Sequence, residues 1–261
     1  NPTWKAFVKP FKKLKIGSKI IFNEQLTAKV LNLTSENKIG EATIRFNCLL
    51  KNFNDFLEKN GSLALPSYIT KKRRYKHTDD ENYQTIFAKK LGAIAAPTAS
   101  LHFSEKLLKK IKSKGIKVIN VTLHVNGGTF IPIKTKDINN HVMHYEYGEI
   151  SKNSAENINK VKLNGKKCIA IGTTVLRLLE ASKDEKGRIK PFKGETNIFI
   201  KPGWKITTIN GLVTNFHTPK STLFVLICAM MGNKKAKELY KFAIKNKLRF
   251  FSYGDSCLIW N

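Results

Sequence analysis

The hydrophobic pattern of this 261-residue chain changes its period once, and that change constrains the fold more than any single motif. Residues 3–48 read as short strands, WKAFVKP, KIIF, AKVLNL and ATIRFN, set apart by Gly17, Asn23-Glu24 and the polar run SENKIG. Even spacing with β-branched and aromatic residues predicts an antiparallel barrel or part of one. From about residue 91, helical and strand patterns alternate instead. Ser104 is placed as an N-cap ahead of the stripe Leu107, Leu108 and Ile111, with Gly115 as its stop. After the strand IKVINVTLHV, Asn153 and Glu156 have the spacing of a capping box for a helix that Gly165 ends. Then come KCIAI, a turn at 172–174, the helix VLRLLEAS, strands at NIFI and LVTNF, helices over 221–231 and 233–246, and a last strand RFFS. Such alternation predicts a mainly parallel sheet covered on both faces. The expected class is therefore α/β plus β: an incomplete antiparallel β-barrel domain over 1–56 and an α/β sandwich catalytic domain over 57–261. A short helix at 53–59 and a loop with five basic residues within 71–76 bridge the two patterns.

Composition narrows the class further. A hydrophobic fraction of 41% with 10% aromatics marks a globular chain. Lys and Arg number 47 against 19 Asp and Glu, a formal charge of +28 that suits a polyanionic partner. A general drift towards lysine and asparagine explains part of that excess equally well. Cys48, Cys168, Cys228 and Cys257 are widely spaced with no C-x-x-C pair, which argues against a zinc knuckle. Cys168 and Cys228 sit in apolar runs and read as reduced thiols, pointing to a cytoplasmic location. The longest apolar run, 223–231, is too short to span a bilayer. A monomer is the expected state.

Chemistry-bearing residues collect at the ends of the apolar runs, where α/β folds keep their sites. His102 follows the small residues of AIAAPTAS, and His124 precedes Gly127, Gly128 and Thr129. A glycine pair after a strand lets backbone pass close to a ligand, though it fits an ordinary loop as well. His141, His144 and Glu146 offer two imidazoles and a carboxylate, but the spacing is weak for a metal and no fourth ligand is evident. A proton-shuttling role near an organic substrate is preferred. Thr173, Thr174 and Arg177 stand at a strand-to-helix turn, where hydroxyls, backbone amides and a guanidinium meet an anion. Asn215, His217, Lys220 and Ser221 crowd into eight residues at another such junction, with Tyr253 and Asp255 near the last strand to complete the cluster.

In order and spacing, AAPTASLHF, VTLHVNGGTF, HVMHYEY, AIGTTVLR, GETNIFIKPG, LVTNFHTPKSTL and RFFSYGD resemble the S-adenosylmethionine:tRNA ribosyltransferase-isomerases of queuosine biosynthesis. The resemblance runs over residues 65–255 and includes LPSYI and YQT from the family's linker. It implies a β-barrel domain on an α/β domain without metal or prosthetic group, and S-adenosylmethionine as ribosyl donor. The acceptor it implies is 7-aminomethyl-7-deazaguanine at the wobble position of tRNA. Epoxyqueuosine-tRNA forms, and adenine and methionine leave. The sulfonium acidifies the adjacent 5′ carbon, calling for a base, and adenine departs best with a protonated ring nitrogen, calling for an acid.

On that resemblance His124, His102 and His217 are the candidates for proton transfer. Thr173, Thr174 and Arg177 would grip a carboxylate or phosphate, Asn215 the ribose or a base edge, and Glu195 a ribose hydroxyl or the cationic centre. Gly127, Gly128, Thr129, His144, Glu146, Lys220, Ser221, Tyr253 and Asp255 complete the expected substrate site. Lys71, Lys72, Arg73 and Arg74 face the tRNA. The chain departs from the family pattern at Ser100 and Asn126, where glycine is usual, at Val175-Leu176, where Ser-Val is usual, and at Thr218, where leucine is usual. The usual N-terminal region, with the first half of the barrel, is absent from this sequence. A relative that binds tRNA without turnover is the alternative expectation.

Overall fold

The structure, a computed structural model, describes residues 1–36, 39–125, 133, 135 and 137–260. The sequence-predicted site residues Gly127, Gly128 and Thr129 lie outside the described residues. Two compact units result, Asn1–Leu63 and Ala64–Asn261.

In the first unit, β1 (Thr3–Phe7), β2 (Lys19–Ile21), β3 (Thr27–Glu36) and β4 (Ile39–Phe46) form one antiparallel sheet in the order β1-β4-β3-β2. The period-2 pattern explains its single buried face: Ala28 and Val30 on β3 and Ala42, Ile44 and Phe46 on β4 are buried. Among the described residues no pairing joins β1 to β2, so this sheet is open. Helix α1 (Leu50–Asn60) starts three residues before the predicted segment and closes the apolar face. Its Phe53 ring stands 4.2 Å from that of Phe46 and 5.2 Å from that of Trp4.

The second unit mixes helices with two three-stranded sheets. One has the order β10-β9-β7, from β7 (Ile169–Ile171), β9 (Gly211–Asn215) and β10 (Ser256–Trp260). The other is β5-β6-β8, from β5 (Thr122–His124), β6 (Glu146–Ile150) and β8 (Phe192–Thr196). The expectation of a mainly parallel sheet is corrected here. Only β7 and β9 run parallel among the described pairings of this unit; β10 lies antiparallel to β9, and β6 is antiparallel to both its neighbours. Alternating helix and strand patterns were read as successive crossovers within one sheet. The chain instead passes from β7 to the other sheet at β8 before returning to β9, which hairpin-free alternation cannot reveal.

Helices α2 (Ser67–Thr70) and α3 (Thr78–Asn82) interrupt the basic bridge. Four longer helices follow the sequence pattern closely: α4 (Glu105–Ser113), α6 (Thr173–Ser182), α7 (Thr222–Met231) and α8 (Asn233–Lys245). Ser104 does cap α4, accepting from Leu107 N at 3.2 Å. Helix α5 (Lys152–Leu163) begins earlier than the capping-box spacing implied, with Ser151 as the cap and Asn153 inside the first turn. Leu176, Leu178, Leu212, Leu226, Ile227 and Phe216 lie at the centre of the core that packs α6 and α7 against β9. No described helix is long and apolar enough to cross a membrane.

Candidate active site

Strands β7 and β9 are parallel with Ile171 opposite Val213, so their C-terminal ends open on the same edge of the sheet. Strand β10 enters from that edge, with Ser256 opposite Asn215. Three motifs far apart in sequence therefore meet there: the Gly172 turn, Asn215 at the end of β9, and the 249–255 loop. The 3₁₀ turn Thr98–His102 packs over the same edge, and a Cβ placed on Gly172 would stand 3.8 Å from Cβ of Ala99. This convergence is the physical reason strand ends concentrate chemistry.

Beside this edge is a cleft of about 490 Å³, lined by Arg73, Asp79, His102, Arg249 and Tyr253 together with Lys76, Thr78, Asn82, Leu101, Ser252 and Gly254. That volume lies in the range of small-molecule sites. The His102 ring is exposed on the cleft, with Nε2 turned inward to Asn215 Nδ2 at 3.1 Å. The same Nδ2 donates to the Phe251 carbonyl at 3.2 Å, and Asn215 is 2% exposed. Burial lowers the His102 pKa, with Arg249 pushing the same way and Asp255 opposing.

The predicted last strand RFFS is instead the wall of the cleft. Phe251 has φ 71°, and Asp255 closes the loop by accepting from Arg249 N at 2.8 Å and from Arg249 Nη2 at 2.7 Å. Gly254 is required by close approach, because a Cβ there would lie 2.5 Å from the Arg249 carbonyl oxygen. Tyr68 and Tyr83 hold the loop from behind. The Tyr68 ring stacks on Phe251 at 4.3 Å and its hydroxyl accepts from Ser252 N at 2.8 Å. Tyr83 Oη donates to Ser252 Oγ at 3.3 Å.

Asp79, to which the sequence reading assigned no role, organises the opposite wall. It takes Arg73 Nη1 and Nη2 at 2.7 and 2.6 Å, Lys76 N at 2.9 Å and Tyr253 Oη at 3.1 Å. The Arg73 guanidinium leads the causes that hold its carboxyl well below the usual carboxylate range. The Tyr253 phenol is pushed up to about 12, first by burial and then by its bond to Asp79. Arg73 is thus committed to a carboxylate, while Lys71, Lys72 and Arg74 are exposed. A signal for Asp79 was present in the sequence: an acidic cluster, TDDEN, directly follows the basic run.

The other predicted residues fall into separate surroundings. His217 is half-buried, with Nε2 2.8 Å from Thr214 Oγ1, and its backbone N–H donates to Tyr240 Oη at 2.9 Å. Burial drives its pKa down to about 4. Ser221 caps α7 by accepting from Phe224 N at 3.1 Å, and the exposed Lys220 has φ 61°. Thr173 and Thr174 are buried at the first turn of α6. Arg177, 2% exposed, donates from Nη1 to the buried Glu146 carboxylate at 2.5 Å and from Nε to the Ile198 carbonyl at 3.2 Å. His144 Nε2 lies 3.5 Å from the same carboxylate. Burial pulls the Arg177 pKa down and the Glu146 charge opposes this.

His124 belongs to the other sheet. Its register partner is Tyr147, whose own partner on β8 is Glu195, so these three side chains share one sheet face. Glu195 is exposed there, and the Tyr147 ring lies 5.6 Å from His124. The chain at Gly92, with φ 131°, passes so near that a Cβ would sit 2.9 Å from His124 Nδ1, an atom buried without a hydrogen-bond partner among the described residues. From there the segment runs back to the cleft: Ile94 N and Ala95 N donate to the Val125 carbonyl, seven residues before His102. Among the described residues, no three His, Cys, Asp or Glu side chains gather closely enough to hold a metal ion. All four cysteines are free.

The sequence profile of the family described as queuosine biosynthesis protein matches residues 1–259. The S-adenosylmethionine:tRNA ribosyltransferase-isomerase of Zymomonas mobilis is 48% identical, over 98% of this chain and 74% of that protein. That of Rickettsia bellii is 47% identical, over 98% of this chain and 71% of that one. The crystal structure of the Thermotoga maritima S-adenosylmethionine tRNA ribosyltransferase is similar with a TM-score of 0.51 at 26% identity, covering 98% of this chain and 70% of that chain.

Proposed function

The chain belongs to the queuosine biosynthesis protein family, and from that premise we propose that it is an S-adenosylmethionine:tRNA ribosyltransferase-isomerase. It transfers and isomerises the ribosyl group of S-adenosylmethionine onto 7-aminomethyl-7-deazaguanine at the tRNA wobble position, releasing adenine and methionine. The observation that carries the site is the cleft of about 490 Å³, where His102, Tyr253 and Asp79 come together from three distant segments. His102 meets the nucleoside. Arg73 is paired with Asp79 and the exposed Arg249 with Asp255, leaving Lys71, Lys72, Arg74 and Lys76 as the exposed cations of the basic run for tRNA phosphates. Burial lowers the His217 pKa to about 4, which favours the neutral imidazole at physiological pH. The Glu146–Arg177 pair supports β6 from the core side. His124 and Glu195, which share a face of the other sheet through Tyr147, are read as acting on the far end of the substrate.

The four-stranded sheet of the first unit is read as part of an antiparallel barrel and the second unit as a layered α/β domain, a reading supported by the sheet order β1-β4-β3-β2 and by the helices packed on the β10-β9-β7 sheet. Four free thiols and a tRNA substrate support a cytoplasmic setting.

The test incubates the chain with S-adenosylmethionine and tRNA bearing the 7-aminomethyl-7-deazaguanine base, following adenine by chromatography and the tRNA by mass spectrometry. Adenine release that requires the tRNA, with a matching mass gain on the wobble nucleoside, is expected. Tight tRNA binding with neither product would overturn the proposal in favour of a binding protein.

A further inference from the structure

We infer that Asn215 is a positioning residue that fixes His102 as a neutral hydrogen-bond donor through Nδ1 and withholds Nε2 from any proton. This deepens the reading that His102 meets the substrate, and rests on it for its catalytic consequence only. The argument starts from the Phe251 carbonyl, which can only accept. The Asn215 atom 3.2 Å away must therefore be the amide nitrogen, since the reverse orientation would set two acceptors against each other. The second hydrogen of that NH2 group then points to His102 Nε2 at 3.1 Å. A ring nitrogen receiving an N–H must offer its lone pair, so the neutral imidazole carries its hydrogen on Nδ1. An imidazolium would bring two N–H groups face to face.

The surroundings support the assignment. Asn215 is 2% exposed, and its Oδ1 is buried with no partner among the described residues. The orientation is held despite that cost, because the Phe251 and His102 bonds both depend on it. The charged groups facing His102 come from the 249–255 loop, where Asp255 and Arg249 are paired with each other, and from the 73–82 wall, where Asp79 and Arg73 are likewise paired. Each carboxylate is already committed to a guanidinium, and the Asp255 charge reaches the ring only against that of Arg249.

The consequence separates the roles that the sequence left interchangeable. With Nε2 engaged and Nδ1 bearing hydrogen, His102 is no general base. It supplies a hydrogen bond to an oxygen or ring nitrogen that gains negative charge as the nucleoside breaks. Removal of the proton beside the sulfonium falls to another group.

Imidazole 15N–1H correlation spectra of the full chain, with histidine labelled on both ring nitrogens and the His102 signals assigned by their loss in His102→Ala, test this directly. In the wild type at neutral pH, His102 is expected to be protonated at Nδ1, the tautomer disfavoured in free histidine. Asn215→Asp replaces the donor with an acceptor, and His102 should switch to the Nε2–H form with a pKa raised by roughly 1–3. Asn215→Ala should leave a tautomer mixture. An Nε2–H wild type, or an Nδ1–H tautomer that persists in either variant, would overturn the inference; the wild-type spectrum decides it even if both variants fail to fold. If His102→Ala turns over normally while the tautomer results hold, the catalytic reading of His102 fails and the positioning result stands.

Discussion

Two arginine–carboxylate pairs in the second unit place the same chemistry in opposite settings. Under β6, the side chains of Arg177 and Glu146 are 3% and 2% exposed and joined by one short contact. At the cleft wall, Arg73 is 34% exposed and grips Asp79 through both terminal guanidinium nitrogens, with Tyr253 sharing the acceptor. The buried pair has no solvent to fall back on, so Arg177 without Glu146 would be a stranded charge. The cleft pair keeps a solvated edge and can trade a hydrogen bond for one to a ligand. An arginine in an apolar helix is thus a support, whereas one in an irregular basic run shapes a site.

The largest effect that would break this contrast is expected at Glu146. Glu146→Gln leaves Arg177 uncompensated and should cost about 3–5 kcal/mol, read as a lowered urea midpoint; a change below about 1 kcal/mol would put the pair in the surface class. At the cleft, His102→Ala should lower kcat by roughly 10²–10³-fold while the urea midpoint moves little, since the ring is exposed. Loss of stability without loss of turnover would make His102 a packing residue.

A pH series sharpens the comparison further. Unfolded imidazole titrates near 6.5, and folded His217 at about 4, so the unfolded chain binds the extra proton between these values. Its contribution to stability is complete above about 6.5 and is lost as pH falls towards 4. Unfolding measured at pH 7 and pH 5 should show that loss in the wild type and a smaller one in His217→Gln. Asp79, with its pKa depressed, adds a loss at still lower pH that Asp79→Asn should abolish. The smallest effect is expected at the exposed Glu195. Glu195→Gln should shift stability by no more than about 0.5 kcal/mol, so any sizeable loss of turnover there would report chemistry and not folding.

The local signals were legible where they are local in origin. Ser104 caps its helix because a hydroxyl can reach an N–H three residues on, and that needs no tertiary partner. The strands of the first unit follow from alternation alone. RFFS failed as a strand because the turn at Phe251 is held by Tyr68 and by Asp255 pairing with Arg249, partners a window of neighbouring residues does not contain. Of the site, Asn215 was named from its place at a strand end and His102 from the small-residue run ahead of a helix, but their contact was not, since 113 residues separate them.

By itself the sequence determined the family, the longer helices, the strands of the first unit and the basic character, because spacing, capping and polarity are written residue by residue; the strands expected at 197–200 and 249–252 are irregular, and β8 lies just before the first of them. Only the tertiary structure decided that the sheets are mostly antiparallel, that Arg73 and Arg177 are held by carboxylates, and which nitrogen of His102 is engaged. Those depend on which surfaces meet across long stretches of chain, where a carboxylate or an amide arrives from elsewhere and fixes the state of its neighbour.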